Sequence, residues 1–503
     1  MRMKMACMVW TLAFAVLVST CPPTGAAPLD ETSRAAVYLL RSSMKVQRSN
    51  RHLRMLRAIR ELGDPQLAPF FSRLIDERDD SLRIHGILGL AECSDKKQLD
   101  LVRLTEYEKP ILIRKTVGWA MDLDLVTLDQ ARQLMDWPGL DASVKLVVTT
   151  HLVRHEQPVD KSFLREAMQS EKLGRSTTAA MLLVQLGQDD AMETLNKLNA
   201  SDHPMRDRLR GELLRTAFAG KFDRMGPWAL TVYGDETANP SLRQRALVVA
   251  LRFGAPGAAP TWRQQYQSAS VHLQKIKSAM VALNASYWVA PSLFDPLIDS
   301  DDEMLHQIGK TGAAVALRQG VVDAVLDILD MNHLQVNNWA LDYAKELATP
   351  GDAQTILLGL ILAFDGPKER VAHRLQRAVA ATTLLADRYS ESAGKLLQPI
   401  LLDSQTKTPL IRGMLTGLLQ CRQSDPYPVI DGLTTLGDPQ SDNLMLLITA
   451  KFEHPLTDAQ LRDLALLVRG GGHFPRHMRV QAAWAYLKLT GQTRPVLAQV
   501  LGQ

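Results

Sequence analysis

One short template recurs along this chain. A recurrence of that kind constrains the fold more than any other feature, because a unit too small to bury its own apolar face must stack on copies of itself. Leu82-Arg83-Ile84-His85-Gly86-Ile87-Leu88-Gly89-Leu90 and Met478-Arg479-Val480-Gln481-Ala482-Ala483-Trp484-Ala485-Tyr486 share one frame: apolar, Arg, two variable, two small or apolar, one variable, two apolar. The same frame fits from Ile113 to Met121, from Leu242 to Leu251 and from Ile411 to Leu419. Marking each unit by the residue at the Arg position gives Arg54, Arg83, Arg114, Lys145, Ser176, Arg206, Arg243, Gln274, His306, Asn337, Arg374, Arg412, Asn443 and Arg479. From 54 to 479 is 425 residues in thirteen steps, a mean of about 33. Units lacking the basic residue, such as those at Ser176 and His306, are placed by spacing and apolar pattern, and the step of 38 from Arg374 to Arg412 leaves room for an insertion.

Apolar residues three, four, six and seven places after the marker form a stripe along one side of a helix. Leu62-Gly63-Asp64-Pro65, Leu186-Gly187-Gln188-Asp189 and Leu436-Gly437-Asp438-Pro439 read as turns that end one helix and start the next. Glycine suits the left-handed cap and Pro the first helical position. Each unit is therefore a helix pair. A chain of 503 residues would ordinarily divide into several globular domains. Here the repeat accounts for about 450 residues without a division.

These residues resemble the HEAT family, in its short form with Leu-Gly-Asp turns and an Asp shortly before the Arg, the form also found in HEAT-like bilin lyases. Arg51 to Lys97 matches best, with Asp79, Asp80 and Arg83 at the turn inside one unit. The resemblance implies an all-α fold, an α-solenoid of about 13–14 antiparallel helix pairs in a right-handed superhelix, with Asp and Arg side chains bridging neighbouring turns. It is specific for fold and nearly silent on function. Residues 27–50 hold one extra amphipathic helix, which suits an N-terminal cap, and 51–503 form the solenoid, closed by a short helix from Pro495 to Leu501.

Residues 1–26 carry the three parts of a secretory signal: Arg2 and Lys4, an apolar run from Met5 to Val18, and Thr24-Gly25-Ala26 as the cleavage site. The expected address is periplasmic or extracellular, with a lipoprotein acylated at Cys21 as the alternative. Two cysteines then remain, Cys93 and Cys421, which lie too far apart along a stacked array to pair and read as buried or free thiols.

Eight basic residues without an intervening acid fall between Arg34 and Arg60. Among them, Arg41, Lys45, Arg48, Arg51, Arg54 and Arg57 are candidate contacts for a polyanion, anionic lipid, envelope polymer or acidic partner, set against the reading of a solvated face. His151 and His155 have a spacing that can place two imidazoles on one metal, but no third ligand is visible, which favours a hydrogen-bonded core histidine at His151. His473 and His477 share that spacing with Pro475 between them. Three glycines at Gly470, Gly471 and Gly472 between Arg469 and Arg476 could present amides to an anion, against the reading of an ordinary loop. Trp119 and Trp484 share one template position and are either exposed anchors or packed.

No metal site or cofactor motif, nucleophile elbow, Cys-x-x-Cys or His-Glu-x-x-His is present. Iron hydroxylases on a HEAT scaffold need repeated His-Glu pairs, and only His155-Glu156 occurs. A net charge of +4 with interspersed signs singles out no nucleic acid partner. The expectation is a non-catalytic scaffold without cofactor, exported from the cytoplasm, that binds a protein or polymer on the surface formed by the second helix of each pair. Docking on anionic lipid or envelope polymer through the basic N-terminal helices is the second expectation, and an enzyme built on a HEAT scaffold the third.

Overall fold

The computed structural model describes residues 29–45, 51–105, 109–331, 333–363, 371–471 and 474–502. The leader read in residues 1–26, with Cys21, lies outside them, as does Arg48. The described residues contain helices and no strand, and no helix among them is long and apolar enough to cross a membrane.

The helices fall into pairs in chain order. The chain opens with α1 (Glu31–Ser43) and α2 (Arg51–Arg60). Twelve pairs follow, each a first and a second helix: α3 (Ala68–Ile75) and α4 (Asp80–Cys93), α5 (Leu101–Thr105) and α6 (Pro110–Asp122), α7 (Leu128–Met135) and α8 (Ala142–Arg154), α9 (Lys161–Met168) and α10 (Leu173–Gln185), α11 (Met192–Ala200) and α12 (Arg206–Gly220), α13 (Gly226–Gly234) and α14 (Pro240–Arg252), α15 (Ala258–Ser268) and α16 (His272–Ala285), α17 (Asp295–Ile298) and α18 (Glu303–Leu317), α19 (Val321–Leu329) and α20 (Leu334–Glu346), α21 (Pro350–Leu362) and α22 (Val371–Arg388), α23 (Ser390–Leu402) and α24 (Thr408–Leu419), α25 (Tyr427–Ile430) and α26 (Pro439–Lys451). A last pair, α27 (Asp458–Arg469) and α28 (Arg476–Leu489), precedes α29 (Thr493–Leu501). Thirteen of the fourteen marker residues lie on a second helix and Arg54 lies on α2, so the fold is an all-α solenoid in the register the spacing gives.

Glycine shows how deep the register runs. Gly86 and Gly89 stand three and six places after Arg83, and Gly309 and Gly312 stand three and six after His306. A Cβ at Gly89 would meet the Phe71 ring at 2.2 Å, and one at Gly312 the Phe294 ring at 2.1 Å. Each phenylalanine lies twelve residues before its marker, is fully buried, and crosses its second helix where only glycine leaves room. The unit at His306, which lacks the basic residue, is thus a packing copy of the unit at Arg83.

The marker side chain closes the pair. Arg243 Nε donates to Tyr233 O at 2.9 Å, Arg377 Nη2 to Ala363 O at 2.8 Å and Arg479 Nη2 to Val468 O at 2.8 Å, while His306 Nδ1 lies 2.6 Å from Ile298 O. These carbonyls end the first helix of the same pair, where a cationic donor satisfies orphan acceptors. Arg210 Nη2 does the same to Asn199 O at 2.7 Å and is fully buried, so Arg210 and not Arg206 fills the marker position of its unit. Arg377 likewise displaces Arg374, which moves the long step to the stretch around residues 364–370; the described helices between 260 and 405 alternate as elsewhere. The bridge between neighbouring turns implied by the HEAT resemblance is present at Arg210 to Asp235 (2.7 Å) and at Arg412, which donates to both oxygens of Asp438 at 2.9 and 2.7 Å.

Of the three Leu-Gly turns, those at Gly63 and Gly187 lie between pairs with positive φ, as read. Gly437 lies inside a pair instead. Its first helix, α25, is a single turn, and Asp438 caps the second helix by accepting from Ser441 N at 3.0 Å. Cys93 and Cys421 are buried and are not joined by a disulfide.

The chain forms two compact units. Residues 63–454 make one, in which the second helices from α4 to α18, and again from α20 to α26, pack each on the next. A continuous apolar cluster runs through it from Ile84 to Leu152. The other joins the described residues up to 62 with the described residues from 455 onward. There α1 buries Ala36, Val37, Leu39 and Leu40 against α27, α28 and α29. Asp30 caps α1 and accepts from the Tyr486 hydroxyl at 3.0 Å, while Arg469 pairs with Glu31 at 2.8 Å and Arg41 donates to Gln499 O. The helix read as capping the start of the array therefore packs on the helices that end it.

Candidate functional site

Within the larger unit, four consecutive second helices, α6, α8, α10 and α12, line one groove of about 1080 Å³. Its position follows from the repeat. Each second helix turns its apolar stripe toward its own first helix and its neighbours, so the opposite edges of successive second helices share one open face. Alpha-helical stripes set which residues reach it. On α8 the buried positions are Val144, Leu146, Val148, Thr149, Leu152 and Val153, and Val147, Thr150, His151 and Arg154 line the groove together with the edge of Leu146.

Six cations line the groove, Lys109, Arg114, Arg154, Lys172, Arg175 and Arg208, against three acids, Asp122, Asp141 and Glu212. Lys109 is paired with Asp80 at 3.1 Å, Arg175 with Asp141 at 3.6 Å and Arg208 with Glu212 at 3.0 Å. Arg114, Arg154 and Lys172 form no ion pair with a described carboxylate. Burial lowers Arg154 from the usual guanidinium range, with Asp122 opposing it: the side chain has an open path to solvent but sits inside the concavity, among protein atoms. Burial raises Asp141, yet hydrogen bonds from Ser143 and the charges of Arg175 and Lys172 outweigh it, so the carboxyl stays ionised below its usual range. Ile111 and Met205 add exposed apolar surface on α6 and just before α12.

Three of the groove's hydroxyls are committed to the backbone, Thr150 donating to Leu146 O, Thr177 to Leu173 O and Thr178 to Gly174 O, while the Ser143 hydroxyl donates to Asp141, the cap of its own helix. His151, expected in the core, is half-buried on the groove wall because the stripe of α8 runs past it. Its ring centroid is 4.6 Å from that of His155, and burial, then His155 and Arg154, depress its pKa, which favours the neutral form of the ring. No cluster of three metal-ligating side chains occurs among the described residues.

The remaining sequence candidates lie elsewhere. Of the basic N-terminal residues, Arg41 serves Gln499 O and Arg57 pairs with Glu61 at 2.9 Å, while Arg34, Lys45 and Arg54 are exposed; of the Arg51 side chain nothing is described. Gly470 adopts a positive φ and caps α27, its amide donating to Leu466 O and Leu467 O, which spends on the helix the group an anion would need; Gly472 and His473 lie outside the described residues. Trp484 is buried at 2% exposure and Trp119 is 44% exposed, its ring edge-on to His85 with centroids 6.1 Å apart. Sequence reasoning missed Arg252. Its guanidinium is buried with centroids of the Phe218 and Trp288 rings 3.9 Å away, and those partners come from two other repeats, so no local spacing marks it.

No protein-family model matches the chain, and no curated protein matches it. Solved structures do. The karyopherin Kap121p bound to the SUMO protease Ulp1p aligns with 99% of this chain and 57% of its own length at 12% identity and a TM-score of 0.32. The same karyopherin bound to RanGTP aligns with 91% of this chain at 12% identity and a TM-score of 0.29. The chain thus spans a little over half the length of the solved proteins it matches, and likenesses at this level carry nothing about partners.

Proposed function

We propose that this chain is a non-catalytic interaction scaffold that holds a polypeptide partner in the groove of α6, α8, α10 and α12. The observation that carries the reading is the groove itself: four repeats present one continuous face with exposed apolar surface and three cations that no described carboxylate pairs. A solenoid offers such a face as a rigid, extended binding surface. Export by the leader-like residues 1–26 places that scaffold outside the cytoplasm, with acylation at Cys21 as the alternative anchor. The exposure of Arg34, Lys45 and Arg54 favours a second reading, docking on anionic lipid or envelope polymer through the N-terminal helices.

Gly118 makes the test clean. It lines the groove, and a Cβ there meets nothing nearer than Val147 Cγ1 at 4.0 Å, so Gly118→Tyr fills the groove without entering the core. Full-length wild type and Gly118→Tyr are used to capture partners from an envelope fraction at low and high salt. A discrete protein held by wild type at high salt and lost in Gly118→Tyr supports the scaffold. A capture unchanged by Gly118→Tyr removes the groove from the function, and salt-labile lipid or polymer alone assigns it to the N-terminal helices.

A further inference from the structure

The groove has a chemistry of its own, and resting on the reading just given, we infer that its occupant is an extended acidic polypeptide segment with an apolar residue toward each end. Charge complementarity is the first argument. Among the described residues, six lining cations against three acids leave the groove at +3, and Arg114, Arg154 and Lys172, which no described carboxylate pairs, open into it. Two of the three acids are held by cations of the groove itself, Asp141 by Arg175 and Glu212 by Arg208. An acidic segment finds cations there that no described carboxylate pairs; a basic one finds acids already held by arginine.

Spacing is the second argument. Packed helices lie about 10 Å apart, so α6 to α12 covers about 30 Å across three intervals. Extended chain rises about 3.3 Å per residue, so the groove takes a segment of about nine residues. Arg114 on α6 and Lys172 at the start of α10 are two intervals apart, about 20 Å, which sets acidic side chains about six residues apart. Arg154, at the far end of α8, lies to one side of that line. Ile111 and Met205, 52% and 38% exposed, stand at the two ends of the same path. The Thr150 and Thr178 hydroxyls already donate to their own helices.

The test is fluorescence anisotropy with the full chain and a labelled peptide that has leucine at each end and two glutamates about six residues apart, alongside versions with glutamine or lysine in place of glutamate. The glutamate peptide should bind at least about tenfold more tightly than the glutamine one, weaken as salt rises, and lose binding in Arg114→Glu/Lys172→Glu and in Gly118→Tyr. Thermal melts of both variants keep loss of binding apart from loss of fold. Glutamine or lysine peptides that bind as well as the glutamate one, and are blocked by Gly118→Tyr, overturn the acidic specificity and leave the groove as a binding surface. Inorganic polyphosphate that binds the same cations more tightly than the peptide overturns the inference in favour of a polymer. No peptide binding, with partner capture unaffected by Gly118→Tyr, ends both this inference and the reading it rests on.

Discussion

Gly89→Ala should destabilise the larger unit, and Gly118→Ala should stabilise it, although each adds one methyl to a glycine in a second helix. Replacing a helical glycine by alanine gains about 1 kcal/mol from propensity in both cases. At Gly118 the new Cβ has 4.0 Å of clearance, so that gain stands. At Gly89 the Cβ would sit 2.2 to 2.4 Å from three atoms of the Phe71 ring. Phe71 is fully buried and meets Phe70 edge-on at 5.3 Å between centroids, so the ring cannot step aside by the required distance of more than 1 Å without moving a second buried ring. Overpacking of this kind costs about 1–3 kcal/mol. Propensity cancels between the two variants, and their difference is the overpacking cost, about 1–3 kcal/mol. A long repeat array need not unfold in one step, so urea midpoints are read together with native-state hydrogen exchange of the α4 and α6 amides. Gly89→Ala as stable as Gly118→Ala would refute the packing argument, and with it the claim that His306 and Arg83 mark equivalent units.

Two buried arginines should respond oppositely to methionine. Arg210→Met strands Asp235, Asn199 O and Asp207 and should cost about 3–5 kcal/mol, whereas the Nε and Nη1 of Arg252 have no hydrogen-bond partner, so Arg252→Met should be neutral or stabilising in urea unfolding. Acid should weaken the fold through Asp235 and Asp438. Hydrogen bonds from Thr237 and Arg210 to the first, and from Arg412 to the second, hold both carboxyls well below the ordinary value of 3.8. Their stabilisation is therefore complete above that value and is lost as pH falls below it, and Asp438→Asn should flatten the fall in urea midpoint between about pH 5 and pH 3. Burial and the neighbouring Asp387 push the Cys421 thiol up to about 12, so a thiol reagent at about pH 8 should leave both Cys421 and the buried Cys93 unlabelled until the chain is unfolded, as mass spectrometry of the labelled peptides would show.

The pairing of helices was legible in the sequence because the repeat period is a property of the chain itself. Even units without the basic residue, at Ser176, His306 and Asn443, fell on second helices, since apolar spacing and turn positions carry the register alone. What failed were inferences from a single side chain. Arg206 and Arg210 both suit the spacing, and only the packing shows which one reaches Asn199 O. His151 left the core because the stripe of one helix can lean by a residue from the template without breaking the pair. Asp438 opens a second helix where a first was expected, since α25 is a single turn. The groove was legible only as a surface. Which of fourteen second helices combine their cations, and which of those cations are already paired, depends on contacts between repeats that no one repeat encodes. The association of α1 with α27, α28 and α29 is of the same kind, joining residues more than 400 apart.

The most direct test of the central claim, that the second helices carry the partner, is site-specific photocrosslinking of the full chain. A photoreactive residue replaces Ile111 in the groove or, as the control, Asp129 on first helix α7, whose side chain is 83% exposed. The account predicts that the partner crosslinks from position 111 and not from position 129, and that Gly118→Tyr removes the crosslink. Equal crosslinking from both positions, or crosslinking from 129 alone, would contradict it.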